Sequence, residues 1–117
     1  MKSEERKNQE QPSEVQEIKL SGQVSAEQIA MWKNMYRDVY EVIATDKVCY
    51  LKRPDRKTLK AVDAIGETDG DKANEILLAN CWLGGDEEIK TNDIYFLEVV
   101  PVLERLVDYG RAEIKKL

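Results

Sequence analysis

The stretch Asn80–Lys90, "NCWLGGDEEIK", brings a thiol, an indole, two glycines, three consecutive carboxylates and a lysine into eleven residues. Two kinds of chemistry suit such a set. Carboxylates fixed beside a lysine can hold Mg²⁺ and activate a water molecule. Pro54-Asp55 followed by Glu88-Ile89-Lys90 fits the loose PD…(D/E)xK pattern of Mg²⁺-dependent nucleases, with Asp55 and Glu88 as ligands and Lys90 beside the attacking water. The pattern carries little information in a chain that is 35% charged: Glu17-Ile18-Lys19 and Glu113-Ile114-Lys115 match its second half equally well. Such a site also needs its groups on adjacent rigid elements, usually strands. Here Asp55 reads as a helix cap, and Glu88 follows a Gly-Gly turn.

Other chemistries are thinly represented. The chain has no histidine, which removes the commonest general base and transition-metal ligand, and with them Ser–His and Cys–His nucleophile pairs. Cys49 and Cys81 stand outside any CxxC and are expected as two buried thiols in a reducing compartment. Gly84-Gly85 lacks the lysine and hydroxyl of a phosphate loop, and Asp86-Glu87-Glu88 would repel phosphate. "TDGDK" lacks the alternating ligands and terminal glutamate of a calcium loop. The sequence therefore carries no catalytic, cofactor-binding or metal constellation, and the expectation is a protein that is not an enzyme. The remaining reading of "NCWLGGDEEIK" is a structural corner. A helix ends near Leu83, Gly84 supplies a left-handed closing residue, Gly85 turns the chain, and Trp82 covers the seam to the next helix. The acids then favour the N-terminus of that helix.

The elements that would carry this corner are legible in outline. At 117 residues the chain is one domain in length, with a net charge of −5. An acidic chain is a poor default partner for nucleic acid, and no apolar run approaches the roughly 20 residues that span a bilayer. Without an apolar h-region at the N-terminus, a cytoplasmic protein is expected. Residues 1–24 are polar and free of aromatics, and are expected to form a disordered tail before a single domain over 25–117. Ser25, with Gln28 three residues on, caps a helix whose Ile29, Trp32, Tyr36 and Val39 share a face. Val39–Ala44 and Val48–Leu51 flank Asp46-Lys47 as a hairpin, with a loop expected to exceed two residues because Asp-Lys is a weak turn signal. Asp55 caps a second helix that Gly66 stops, with Leu59, Val62 and Ile65 on one side. Asp71 is expected to cap a third, with Ala73, Ile76, Leu77, Asn80 and Cys81 inward. A last helix starts at Thr91 or Asn92 and runs almost to Leu117 on a stripe of Phe96, Val99, Leu103 and Leu106, bent at Pro101. The fold class is α+β: one helix, a short β-hairpin, then three helices forming a small, mostly helical domain.

"VCYLKRPDRKTLKAV" followed by "ANEILLANCWLGGDEEI", with "GRAEIKKL" at the end, resembles the small tail assembly chaperones of long-tailed phages and prophages. The resemblance covers residues 25–117, and its motifs are structural. It implies a small α+β or mostly α fold. It also implies a chaperone that escorts the tape measure protein, the long helical ruler of the tail, until tail tube subunits assemble around it. Tape measure protein and tail tube protein are the partners implied, and homo-oligomerisation is compatible with them. The last helix is more widely apolar than one packing face requires. Tyr95, Leu97, Val100 and Val102, with Ile94, lie off its core stripe and are the candidate partner-binding residues. The alternatives are a small acidic regulator that binds a host protein or mimics DNA and, more remotely, the nuclease.

Overall fold

The structure, a computed structural model, describes residues 19–108 and 113–117. The expected tail falls mostly on residues 1–18, outside the described residues. Of its last residues, Ser21 is bridged to the sheet. Ser21 forms a parallel bridge with Lys47, its N–H donating to the Asp46 carbonyl and its carbonyl accepting from Val48 N–H, both at 2.9 Å. Gly22 follows at φ +97, where a Cβ would stand 2.6 Å from the Val48 carbonyl.

Helix α1 spans Ala26–Met35, and the Ser25 side chain accepts from Gln28 N–H as its capping pattern predicts. It contains no fully buried residue. Its contribution is Trp32, whose ring lies 5.6 Å from that of Tyr50. Strands β1 (Val39–Ala44) and β2 (Lys47–Lys52) form the hairpin, in register from Val39↔Lys52 to Ala44↔Lys47. The turn is Thr45-Asp46, one residue earlier than expected and two residues long. Thr45 takes φ +57, a conformation that a non-glycine residue adopts at some cost. A contact that a turn propensity does not register holds it there: the Thr45 hydroxyl donates to the Glu98 carboxylate at 2.8 and 2.9 Å.

Helices α2 (Arg56–Gly66) and α3 (Gly70–Cys81) pack as a pair. Asp55 caps α2, accepting from Thr58 N–H at 2.8 Å. Gly66 is the last helical residue and does not take a positive φ. The cap of α3 is Asp69, accepting from Lys72 N–H at 3.0 Å, and not Asp71, which lies in the first turn. Inward positions are Ala73, Leu77, Leu78 and Cys81. Asn80, expected among them, is exposed and donates to the Ile76 carbonyl.

The corner departs most from expectation. Trp82–Gly85 is strand β3, antiparallel to β2 with Cys49↔Gly85, Tyr50↔Gly84 and Leu51↔Trp82, and a register shift between Tyr50 and Leu51. The glycines permit close approach. A Cβ on Gly84 would sit 3.0 Å from Cη2 of Trp32. At Gly85, φ is +134 and a Cβ would lie 2.6 Å from the Val48 carbonyl. The left-handed residue is therefore Gly85, not Gly84. Strand order is β1-β2-β3. Because the middle strand is covered on both faces, Val48, Cys49, Tyr50 and Leu51 are all buried.

A single turn, α4 (Glu88–Thr91), buries Ile89 completely. Helix α5 (Asp93–Asp108) follows, with Pro101 inside it. Val99, Leu103 and Leu106 are buried and Phe96 is half-buried. The last described residues, 113–117, are exposed and not helical, so the final helix stops short of the C-terminus; Gly110 is outside the described residues. The core joins Val42, Ala44, Cys49 and Leu51 of the hairpin to Leu77, Leu78 and Cys81 of α3, Ile89 of α4 and the α5 stripe. The class is α+β, with a third strand and an extra turn added to the expected order.

Candidate functional site

The three acids of the corner are engaged within the fold. The backbone of Asp86 donates to the Val48 carbonyl at 3.1 Å, which continues the β3 edge. One oxygen of its carboxylate accepts from Glu88 N–H at 2.9 Å, where α4 begins. The other accepts from the Ser21 hydroxyl and meets Lys47 Nζ at 3.3 Å. Glu88 reaches the same ammonium at 3.1 Å. Glu87 pairs instead with Lys90 at 2.8 Å, and Lys90 lies over the Trp82 ring, 4.5 Å from its centroid.

Electrostatics follow from these contacts. The hydrogen bond that Lys47 donates to Glu88, aided by Asp86, holds its ammonium above the usual lysine range, against the opposing effect of desolvation. The Ser21 hydroxyl and Glu88 N–H hold the Asp86 carboxyl below the usual carboxylate range. Burial pushes the thiols up, Cys49 to about 12 and Cys81 to about 11, and both are free. A neutral, buried thiol is a poor nucleophile.

The residues of the nuclease pattern have separate tasks. Asp55 caps α2, Glu88 pairs with Lys47, and Lys90 pairs with Glu87. Among the described residues, no three His, Cys, Asp or Glu side chains form a cluster able to hold a metal ion. No helix of the described residues is long and apolar enough to cross a membrane.

The candidate partner-binding residues separate on α5. Tyr95 is half-buried: its hydroxyl donates to Asp46 at 3.2 Å and Lys47 stands 5.0 Å from its ring centroid, so it is tied to the hairpin tip. Val100 is half-buried. Val102 is half-buried on the other side of the helix, where it lines a groove of about 100 Å³ with Tyr40, Glu41, Val42, Arg105 and Leu106. Leu97 alone of the four is open, 63% exposed, and Ile94 one turn earlier is 69% exposed. Pro101 is exposed as well, so Ile94, Leu97 and Pro101 recur at i, i+3 and i+7 as an apolar ridge. Beside it lies a cleft of about 280 Å³ between α3 and α5, lined by Asp71, Glu75, Asp93, Phe96 and Leu97.

Sequence reasoning overlooked Met31 and Met35, 56% and 63% exposed on the outer face of α1, and Ile43, 55% exposed on β1. The signal was present: Met31 and Met35 are spaced i, i+4, off the Ile29–Trp32–Tyr36 face. Comparison of the chain with family models, with curated proteins and with solved structures finds no match.

Proposed function

We propose that this protein is a tail assembly chaperone-like binder. It would hold the apolar stripe of a long helical client, a phage tape measure protein, and perform no chemistry. The observation that carries the reading is the ridge Ile94–Leu97–Pro101 beside a cleft lined by three carboxylates. Two large aliphatic side chains more than 60% exposed within one turn of a helix have no use in the core. They suit recognition of an amphipathic helix laid along a groove. The surrounding carboxylates favour a client whose apolar stripe is flanked by lysine or arginine, and the net negative charge keeps a coated client soluble.

The binding must be reversible, because tube subunits displace the chaperone. An affinity near micromolar, about −8 kcal/mol per site, repeated along a long client, meets that requirement. The resemblance of residues 25–117 to the tail chaperones supports the same reading. The test is co-expression with a tape measure protein. The wild-type chain is expected to bring the client into the soluble fraction, and Ile94→Glu with Leu97→Glu to abolish this while the chain still unfolds cooperatively.

Asp71, Glu75 and Asp93 around one cleft also favour a second reading, a small acidic regulator of a basic host protein. Under it, Asp71→Asn with Glu75→Gln abolishes partner binding and the aliphatic variants leave it intact.

A further inference from the structure

The chain is acidic overall, but its charge is uneven. Five of the nine residues from 52 to 60 are lysine or arginine, against one acid, Asp55. Lys52 ends β2, Arg53 follows it, and Arg56, Lys57 and Lys60 occupy the first half of α2. Two of the five have work within the fold: Arg53 meets Asp38 at 3.1 Å, and Lys52 lies 5.1 Å from the centroid of the Tyr36 ring. The Asp55 carboxylate is engaged by Thr58 N–H. Arg56, Lys57 and Lys60 are exposed, and among the described residues they form no ion pair. Arg56 and Lys60 are i, i+4 neighbours with Lys57 beside them, on the face of α2 opposite buried Thr58 and half-buried Val62. Asp63, the one acid within α2, bounds the patch a turn later. The end of α3 lies close, since Cys81 feels the charges of Lys52 and Asp55, and Ile76–Cys81 carries no charge of its own.

Three adjacent cations attract an anion, and their surroundings select which. A protein partner needs a large apolar anchor at the centre of its interface. None of the large apolar side chains open to solvent among the described residues lies on α2. A single strand of nucleic acid needs exposed rings on which its bases stack. The ring that Lys52 covers, Tyr36, is half-buried. Duplex RNA is contacted largely through its 2′-hydroxyls, and Thr58, the one neutral hydrogen-bonding side chain of α2, is buried. Phosphates of a DNA duplex need only positive charge and donors, which this face supplies. At 0.1 M salt charges are screened beyond about 10 Å, so acids elsewhere on the chain act weakly on a phosphate held there.

We propose that Arg56, Lys57 and Lys60 form a contact for the phosphate backbone of duplex DNA, independent of base sequence. The Arg56 guanidinium offers a planar fork to one phosphate, and the two ammonium groups act as point charges on its neighbours. The contact is separate from the ridge on α5 and does not depend on a client there.

The test titrates the full chain into a labelled duplex of about 20 base pairs, followed by fluorescence anisotropy at several salt concentrations. With three phosphates neutralised, log affinity is expected to fall with log salt at a slope of about −2.7, which is about 40-fold between about 75 and about 300 mM. Lys57→Gln or Lys60→Gln alone is expected to lower that slope by about one. Arg56→Gln with Lys57→Gln and Lys60→Gln is expected to abolish binding with the urea midpoint unchanged, whereas Lys115→Gln with Lys116→Gln leaves it intact. Absence of binding, binding that survives the triple variant, or loss in the Lys115, Lys116 variant overturns the proposal. Tighter binding of a single strand or an RNA duplex of equal length also overturns it. Tighter binding of polyglutamate, lost in the triple variant, would assign the patch to an acidic polypeptide instead.

Discussion

At the residue scale, each group in the corner has a task in holding the sheet together. Gly85 has both a positive φ and backbone atoms where a Cβ would stand, whereas Gly84 has only the rim of the Trp32 ring. Gly85→Ala is therefore expected to cost about 2–4 kcal/mol, combining the left-handed penalty with overpacking. Gly84→Ala is expected to cost about 1 kcal/mol or less, since a ring edge can shift. Urea unfolding midpoints of the two variants check the order, and equal losses would contradict it. Asp55 and Asp86 set the response to acid. Both carboxyls are held below the usual carboxylate range in the folded chain, Asp55 through the Thr58 N–H and Asp86 chiefly through Ser21. On acidification the unfolded chain takes up these protons first, so stability is complete above about pH 5 and is lost as pH falls through the folded values. Urea melts from pH 7 to pH 2.5 should show this loss, and Asp55→Asn with Asp86→Asn should flatten it. The residue types were plain in the sequence, but their tasks were not. Asp86 bonds to residues 65 and 39 positions away, and no local pattern encodes Ser21 or Lys47 as its partners.

At the element scale, the parts with local punctuation were legible and those defined by distant neighbours were not. Ser25 and Asp55 cap the helices they precede because each accepts from the N–H three residues on, an interaction contained in the sequence window itself. The segment "ETDGD" offers acids at both Asp69 and Asp71, and only the path of the chain after α2 selects Asp69. Asp69→Ala is expected to cost about 1 kcal/mol in thermal or urea unfolding, and Asp71→Ala to stay within about 0.5 kcal/mol. The reverse order would restore the expected cap. Strand β3 was not legible because "WLGG" has no β-branched residue, and Gly-Gly normally ends an element. It forms a strand because buried β2 has backbone N–H and C=O groups to pair on its far side, and because the missing side chains let that neighbour pass under Trp32 and beside Cys49. On α5 the surplus of apolar residues was legible, but its division was not. Tyr95 was drawn to the hairpin by Asp46 and Lys47, and Val102 toward β1, which left Leu97 and Ile94 outside. Leu103→Ala is expected to cost about 2–5 kcal/mol as a buried truncation. Leu97→Ala should fall within about 0.5 kcal/mol. Stability measured on both variants separates the core stripe from the ridge.

At the scale of the whole molecule, the described residues place a three-stranded sheet between α1, through Trp32 on Tyr50, and α3 to α5 on the other face. The carboxylates and lysines of the corner are paired, and among the described residues the large apolar side chains most open to solvent lie on the outside of α1 and α5, at Ile43 of β1, and at Ile114 and Leu117 beyond the last helix. That distribution suits a protein whose work is contact. The measurement that tests this most directly is co-expression of the full chain with a tape measure protein, scored by soluble client and by copies of this chain retained per client. The account predicts soluble client carrying many copies, lost in the Ile94→Glu, Leu97→Glu double variant and kept in Glu88→Ala. A client that stays insoluble and uncomplexed with the wild-type chain, whether or not a tail tube protein is present, would contradict it.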